Sequence, residues 1–313
     1  QCLGCRLDYS RMWAVRIVHE AGMHLDSGGS CFITLTYRDE RLATFDQWLN
    51  FEYVPSDWSL HKEHMRNFWK RLRYHLGKEL RYFYVGEYGR KCKHNIDLDV
   101  GHCDLCFVGR PHYHACLFGH TFDDLEVYQT DNGVDRYTSP KLQKIWKYGF
   151  VDVGELNYAS AVYGASYILK KINGARAHDH YMTYDLDGVV TFLQPEYCDM
   201  SRGKRCPRCK AQGYKEPGCQ DCTGGIGRKW YEKYSSDVFP SDEVPVSGLG
   251  VIRGVPRFYQ EILKCEDPQM LEEIKKVRQE FRKAHIEEYS PERLMAKYQV
   301  KKAQVELFQK KKL

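Results

Sequence analysis

Long apolar runs are missing from this 313-residue chain. No stretch of about 18 or more consecutive hydrophobic residues occurs, which excludes a transmembrane helix. A secretory signal pattern is absent as well, and the sequence opens at Gln1 without an initiator Met, as expected of a fragment or a processed chain. Charge of one sign is not in excess: 47 Lys and Arg face 42 Asp and Glu, a formal +5 with a pI near 8.4. Most of that surplus lies in residues 264–313, with 13 basic and 9 acidic side chains. The charge therefore permits nucleic-acid binding without demanding it, and a soluble protein with a basic tail fits equally well. A mean hydropathy of −0.61 with 42% hydrophobic residues excludes an integral membrane protein and also the low-hydrophobicity signature of disorder. There is no internal repeat. The length suits one large or two ordinary domains at roughly 150 residues each.

Aromatic residues and cysteines are abundant. The 23 Tyr, 14 Phe and 6 Trp make 14% of the chain, and many Tyr stand beside Arg or Lys, the composition of a stacking platform for unpaired bases. Thirteen cysteines cannot all pair within the chain. Cys206-x2-Cys209 and Cys219-x2-Cys222 bring four thiolates within reach of one tetrahedral Zn2+, with Pro207, Gly213 and Gly218 supplying turns. The competing reading is two disulfides, but adjacent CxxC pairs are strained when oxidised and no secretory feature is present. A second cluster holds Cys92, His94, His102, Cys103 and Cys106. Cys92, His94, Cys103 and Cys106 make a four-ligand set for a second zinc; the alternative is a loop of solvated His and free thiols. Cys2-x2-Cys5 has no partners nearby, and Cys31, Cys116 and Cys265 suit small core positions.

Periodicity places a helix over 7–23 and a strand over Cys31–Tyr37. A helix follows over 60–76, with Met65, Phe68, Trp69 and Leu72 as its apolar face, stopped by Gly77. Strands are expected at 81–87, 111–118 and 150–153, and helices at 139–146 and 158–172. Strand signals continue from Tyr181 to Phe192, and 267–312 is mostly helical with a break at Ser290-Pro291. Strands and helices without regular βαβ spacing predict an α+β fold with an antiparallel sheet.

Three constellations carry chemistry. In a strand, residues two apart share a face, so His112 and His114 project together while Tyr113 points away. Two imidazoles on one face are a metal site in waiting, although a single HxH among 13 His also arises incidentally. Glu87, flanked by Gly86 and Gly89 where a sharp turn is expected, would add a carboxylate. Such an N2O set leaves positions open for water and substrate, which suits a divalent Lewis acid acting on phosphate; the alternative is a capping or salt-bridging surface Glu. Third, Tyr163, Tyr167 and Lys170 fall within roughly 60° of one another on a helix. Ala161, Ala165, Ile168 and Ile172 fall on the opposite side, expected to seat the helix on the sheet. A Tyr stripe is often half-buried packing; the added ammonium is what a phenol attacking phosphorus needs, to lower its pKa and stabilise charge.

Thr34-Leu-Thr36, Arg110-Pro-His-Tyr-His114 and Tyr163-x3-Tyr167-x2-Lys170 resemble, in order, the three motifs of HUH endonucleases. More closely, the chain resembles the replication initiators of gokushovirus-type microviruses. The similar segments include Cys2-Leu-Gly-Cys-Arg6, Lys70-Arg-Leu-Arg73, Gly86-Glu-Tyr-Gly89, Trp146-x-Tyr-Gly-Phe150, Pro195-Glu-Tyr-Cys-Asp-Met-Ser-Arg202, Gly225-Ile-Gly-Arg-Lys-Trp230 and Val255-Pro-Arg-Phe-Tyr259. The resemblance implies a central antiparallel sheet of about five strands flanked by helices. It implies an HUH endonuclease domain over 1–195 with a Cys/His insertion at 92–106, a four-cysteine zinc-knuckle module over 196–230, and a mostly helical extension over 231–313 with a basic end. It also implies function: metal-dependent nicking and ligation of single-stranded DNA at an origin, starting rolling-circle replication of a small phage in the cytoplasm of its bacterial host. Glu87, His112 and His114 would hold Mg2+ or Mn2+, Tyr163 and Tyr167 would be the nucleophiles, and Lys170 would stabilise charge. The partners implied are origin DNA and the host helicase and polymerase, with no membrane. Two other classes stay open on the residues alone: a zinc-stabilised nucleic-acid-binding protein without catalysis, and a mononuclear iron enzyme with a two-His, one-carboxylate triad.

Overall fold

The computed structural model describes residues 3–38, 58–77, 80–92, 96–98, 101, 108–131, 133–167, 171–184, 189–204, 206–211 and 222–310, and it is α+β. The chain forms two compact units, one of Glu20–Arg202 and one of Gln1–His19 together with Gly203–Leu313. Helix α1, Leu3–Gly22, runs from the second unit into the first.

The unit of Glu20–Arg202 is built on a seven-stranded antiparallel sheet. Its strands are β1 (Ser30–Tyr37), β2 (Arg81–Tyr88), β3 (Pro111–Phe118), β4 (Glu126–Asp131), β5 (Val134–Thr138), β6 (Gly149–Glu155) and β9 (Tyr197–Met200), in the order β4-β5-β6-β1-β3-β2-β9. β7 (Met182–Tyr184) and β8 (Val190–Phe192) make a separate hairpin. The sheet thus exceeds the five strands expected. The β4–β5 hairpin and the short β9 extend it, and neither has a periodic apolar pattern; all six residues of β4 are exposed.

Alternation gives the sheet two unlike faces. Ile33, Leu35, Tyr37, Tyr113, Ala115 and Leu117 are buried in one core with Met65, Phe68, Trp69 and Leu72 of α2 (Lys62–Leu76) and Leu142, Ile145 and Trp146 of α3 (Pro140–Trp146). Each large side chain fully buried there contributes about 1.5–3 kcal/mol. The polar tips in this core are paired. Tyr113 Oη accepts from the His61 N–H at 2.7 Å and lies 3.0 Å from Tyr37 Oη, and the Trp146 indole N–H donates to the Thr36 carbonyl at 2.9 Å.

At β6 the pairing with β5 is confined to Tyr137–Val153. Beyond it, the side-chain amide of Gln143 takes the place of a neighbouring strand: its Oε1 accepts from the Val151 N–H at 3.2 Å and its Nε2 donates to the Gly149 carbonyl. The opposite face of the sheet, at that end, is left open.

In the other unit, His19 of α1 is buried and stacks on Trp230 with ring centroids 3.4 Å apart. Its Nε2–H donates to the Pro245 carbonyl at 2.8 Å, so Nδ1 accepts from the Tyr259 hydroxyl at 2.8 Å. Burial lowers the His19 pKa to about 4, against a smaller opposing effect of the Pro245 bond. The unfolded chain, with an ordinary value near 6.5, binds the proton first as pH falls. Stability from the neutral imidazole is therefore complete above pH ~6.5 and declines toward pH ~4, by roughly 3 kcal/mol. Thermal unfolding of the protein should show this loss between pH 7 and 4, and His19→Gln should flatten it; an unchanged slope in the variant would refute the assignment.

Candidate active site

Strand register sets the site. His112 on β3 pairs with Thr36 on β1 and with Glu87 on β2; His114 pairs with Thr34 and Val85. Directly paired residues share a face, so Glu87, His112, His114, Thr34 and Thr36 all project away from the aromatic core. Glu87 is 1% exposed. Its Oε1 lies 2.7 Å from His112 Nε2 and 3.1 Å from His114 Nε2. The expected turn at Gly86 is not there: Gly86 is an in-strand residue of β2, paired with Tyr113. A Cβ on Gly86 would approach Leu60 and the Tyr113 ring to 3.1 Å, so its smallness serves close packing.

The proton positions test the site for a cation. His112 Nδ1 is 3.1 Å from the Arg110 carbonyl, which only accepts, so Nδ1 carries the proton. A neutral His112 then turns a lone pair on Nε2 toward a carboxylate oxygen 2.7 Å away. Something positive must lie between them, either a second proton or a metal ion. His114 Nδ1 is anchored by Thr34 Oγ1 at 3.0 Å, which orients its Nε2 to the same point. One ligand atom from each of Glu87, His112 and His114 lies within 4.8 Å of the others. Two imidazole nitrogens and one carboxylate fit a divalent ion with positions left over for substrate. Burial alone would raise the Glu87 pKa; the two imidazoles outweigh it and hold the carboxyl well below the usual carboxylate range.

Helix α4 (Tyr158–Ser166) lies on this face, started by a capping box in which Asn157 Oδ1 accepts from the Ser160 N–H at 3.0 Å and Ser160 Oγ accepts from the Asn157 N–H at 2.9 Å. The helix is shorter than expected, since Lys171 and Ile172 are not helical. Its orientation differs too. The phenols are turned to the sheet: the Tyr163 ring meets His114 edge-on at 5.2 Å, and Tyr167 stacks on His114 at 4.7 Å and 8°. The two phenol rings are 4.8 Å apart. Ala161 and Ala165 are buried as well. The reason lies in the sheet, whose face here carries imidazoles, for which aromatic rings are good partners. Gly164 allows the approach, because a Cβ there would stand 3.2 Å from the Phe32 ring. Tyr163 is half-buried and Tyr167 is 4% exposed. Burial, and then the Glu87 carboxylate, raise the pKa of Tyr167; burial raises that of Tyr163, with Tyr167 acting against it.

A cleft of about 1070 Å³ opens over His112, His114 and Tyr163. Arg38, Arg90, Lys91, Arg110 and Arg136 line it, against Asp135 and Asp152. Sequence reasoning missed this wall. Arg136 and Tyr128 come from the β4–β5 hairpin, for which the dipeptide Asn132-Gly133 is a turn signal.

Of the remaining expected site residues, Lys170, His94, Cys103, Cys106 and Cys219 lie outside the described residues, as does the side chain of Cys209. Cys92 is buried, with Ile96 and Leu98 against it. Cys206 and Cys222 are brought together, the Cys206 N–H donating to Cys222 Sγ at 3.1 Å.

An antiparallel sheet with paired imidazoles at its centre, and phenols of a later helix laid against them, defines an HUH-type protein. The family model described as Replication-associated protein ORF2 matches residues 30–96 and 105–172, which hold Glu87, both histidines and both tyrosines. Replication-associated protein ORF2 of Spiroplasma virus 4 is 29% identical over 290 residues, covering 90% of this chain and 73% of that protein. Replication-associated protein VP4 of Bdellovibrio phage phiMH2K is 28% identical over 275 residues, covering 86% and 68%. Replication-associated protein ORF4 of Chlamydia phage 1 is 32% identical over 276 residues, covering 84% and 52%. The chain belongs to this family of microvirus-type replication-associated proteins. No solved structure matches it. Among the described residues no helix is long and apolar enough to cross a membrane.

Proposed function

We propose that the protein nicks and rejoins single-stranded DNA at a phage replication origin by tyrosine transesterification, and so starts rolling-circle replication in the cytoplasm of the infected host. The observation that carries this reading is the contact of Tyr163 and Tyr167 with His114 of the Glu87–His112–His114 triad. Mg2+ or Mn2+ held by the triad would supply Lewis-acid polarisation of a phosphate oxygen.

The chain's own groups do the rest. Arg38, Arg90, Lys91 and Arg110 hold the DNA backbone in the cleft. Tyr163, which lines the cleft, acts first. Its oxygen bonds to phosphorus as the phenol proton leaves; the P–O3′ bond breaks, and the 3′ oxygen takes up a proton. The products are a 5′-phosphotyrosine and a free 3′-OH, which the host polymerase extends behind a host helicase. Lys170 stabilises charge on the phosphoryl oxygens. Holding phenol and phosphate together supplies up to ~7–11 kcal/mol of the barrier. Tyr167 cleaves after one round, and rejoining is the reverse exchange, with the ester bond conserved. The test is a denaturing gel after incubation with single-stranded origin oligonucleotides and Mn2+. A DNA-linked protein band whose modified peptide contains Tyr163 or Tyr167 is expected; no band would leave a DNA-binding role without catalysis, or an iron enzyme.

Zinc has a structural place in the same proposal. Cys206, Cys209, Cys219 and Cys222 bind one ion, and Cys92, His94, Cys103 and Cys106 a second. The Cys206 N–H directed at Cys222 Sγ is the bond a thiolate ligand accepts, and supports the first site. Metal analysis of the purified protein should find zinc, and a chelator should lower its unfolding temperature. A metal-free protein with those cysteines disulfide-bonded would contradict it.

A further inference from the structure

Phe150 is out of place for a hydrophobic residue. It sits on β6, an internal strand, yet is 48% exposed. Strand register fixes where it points. Phe150 pairs with Thr36, Thr36 with His112, and His112 with Glu87, so the four form one row on the site face of the sheet. Two strand spacings separate Phe150 from His112, about 10 Å. The Arg38 guanidinium stands over the Phe150 ring with Cζ 5.4 Å from its centroid. Both residues line the cleft, and the floor there stays uncovered because β5 stops pairing at Val153 and Gln143 closes the strand edge from the side.

We propose that Phe150, with Arg38 above it, is the stacking platform for an unpaired base adjacent to the scissile phosphate. The proposal rests on the reading of this cleft as a single-stranded DNA site and assigns what holds the nucleobase there. The cations of the cleft attract any polyanion; a bare aromatic ring in their midst selects one whose bases are unstacked and free to lie on it. Duplex DNA keeps its bases stacked on one another and gains nothing from Phe150. The guanidinium covers the outer side of the ring in the free protein, and an arriving base exchanges for it or extends the stack. Phe150 thereby fixes the register of the strand, so that one chosen phosphodiester lies over His112 and His114.

The test uses the full chain with no Mn2+ or Mg2+ added, so that binding is read apart from cleavage. The probe is a thymidine oligonucleotide of roughly 15 nucleotides, followed by fluorescence anisotropy. Phe150→Ala and Phe150→Leu should bind about 5- to 100-fold more weakly, and Phe150→Trp within about 2-fold of the parent. The slope of log affinity against log salt should be unchanged in Phe150→Ala, but lower by about one in Arg38→Ala. With 5-iodouracil in the probe, ultraviolet crosslinking should label the peptide that holds Phe150. Unchanged affinity in Phe150→Ala, Leu as good as Trp, or no binding of the probe by the parent would each overturn the platform. The covalent-adduct assay answers separately: an adduct with no effect at Phe150 sinks only the platform, and stacking without an adduct sinks only the chemistry.

Discussion

Tyr163→Phe forms no covalent DNA adduct in Mn2+, while Tyr167→Phe still forms one, and the double variant forms none. The expected loss is on the order of a thousandfold or more, the scale on which removal of an enzyme nucleophile reads. Phenylalanine retains the ring that meets His114 edge-on and Phe32 at 6.0 Å, so packing is kept and the reactive oxygen alone is lost. The order of the two phenols follows from their surroundings. Tyr163 borders the cleft, whereas Tyr167 is stacked flat on His114 with its pKa raised by burial and by the Glu87 carboxylate. A phenol held in its protonated state is a poor first nucleophile. An adduct of undiminished yield in the double variant would refute the assignment of both residues, and one on Tyr167 of the parent would reverse their order.

The second large effect is expected at the triad. Glu87→Gln keeps the shape of the side chain and removes the charge, and His114→Ala removes one of the two nitrogens. Each should weaken Mn2+ binding by about 100-fold or more and abolish Mn2+-dependent cleavage. Thermal unfolding gives a readout independent of activity. A ligand present at about 100 times its Kd stabilises the parent by about 2.7 kcal/mol. That upward shift in unfolding temperature on adding Mn2+ should be missing from Glu87→Gln. The variant should fold, because the neutral amide still accepts from a protonated imidazole. A full Mn2+-induced shift in Glu87→Gln would exclude the carboxylate as a ligand.

Much of this centre is legible in the sequence because β-strands obey a period of two. His112 and His114 had to share a face, and Tyr113 had to enter the core, whatever the rest of the fold. The helix Lys62–Leu76 was readable from the spacing of Met65, Phe68, Trp69 and Leu72. What could not be read was which side of the Tyr158–Ser166 helix faces the sheet. The rule that apolar residues face inward selects Ala161 and Ala165, but the surface waiting for the helix is made of imidazoles, and the phenols pack there. The β4–β5 hairpin escaped notice for the opposite reason. It buries almost nothing, so its sequence carries no apolar alternation, although it contributes Tyr128 and Arg136 to the cleft. Strand β9, four residues long, is too short for a period to register.

The amide of Gln143 has a consequence for the molecule in solution. A bare β-surface invites edge-to-edge polymerisation, because unpaired main-chain groups recruit strands from other copies. Proteins commonly guard such places with lysine or proline gatekeepers. Here one glutamine saturates both the Val151 donor and the Gly149 acceptor. The rim is thereby made inert to foreign strands while the floor beside it stays accessible, and a protein that must admit one polymer is protected from becoming another.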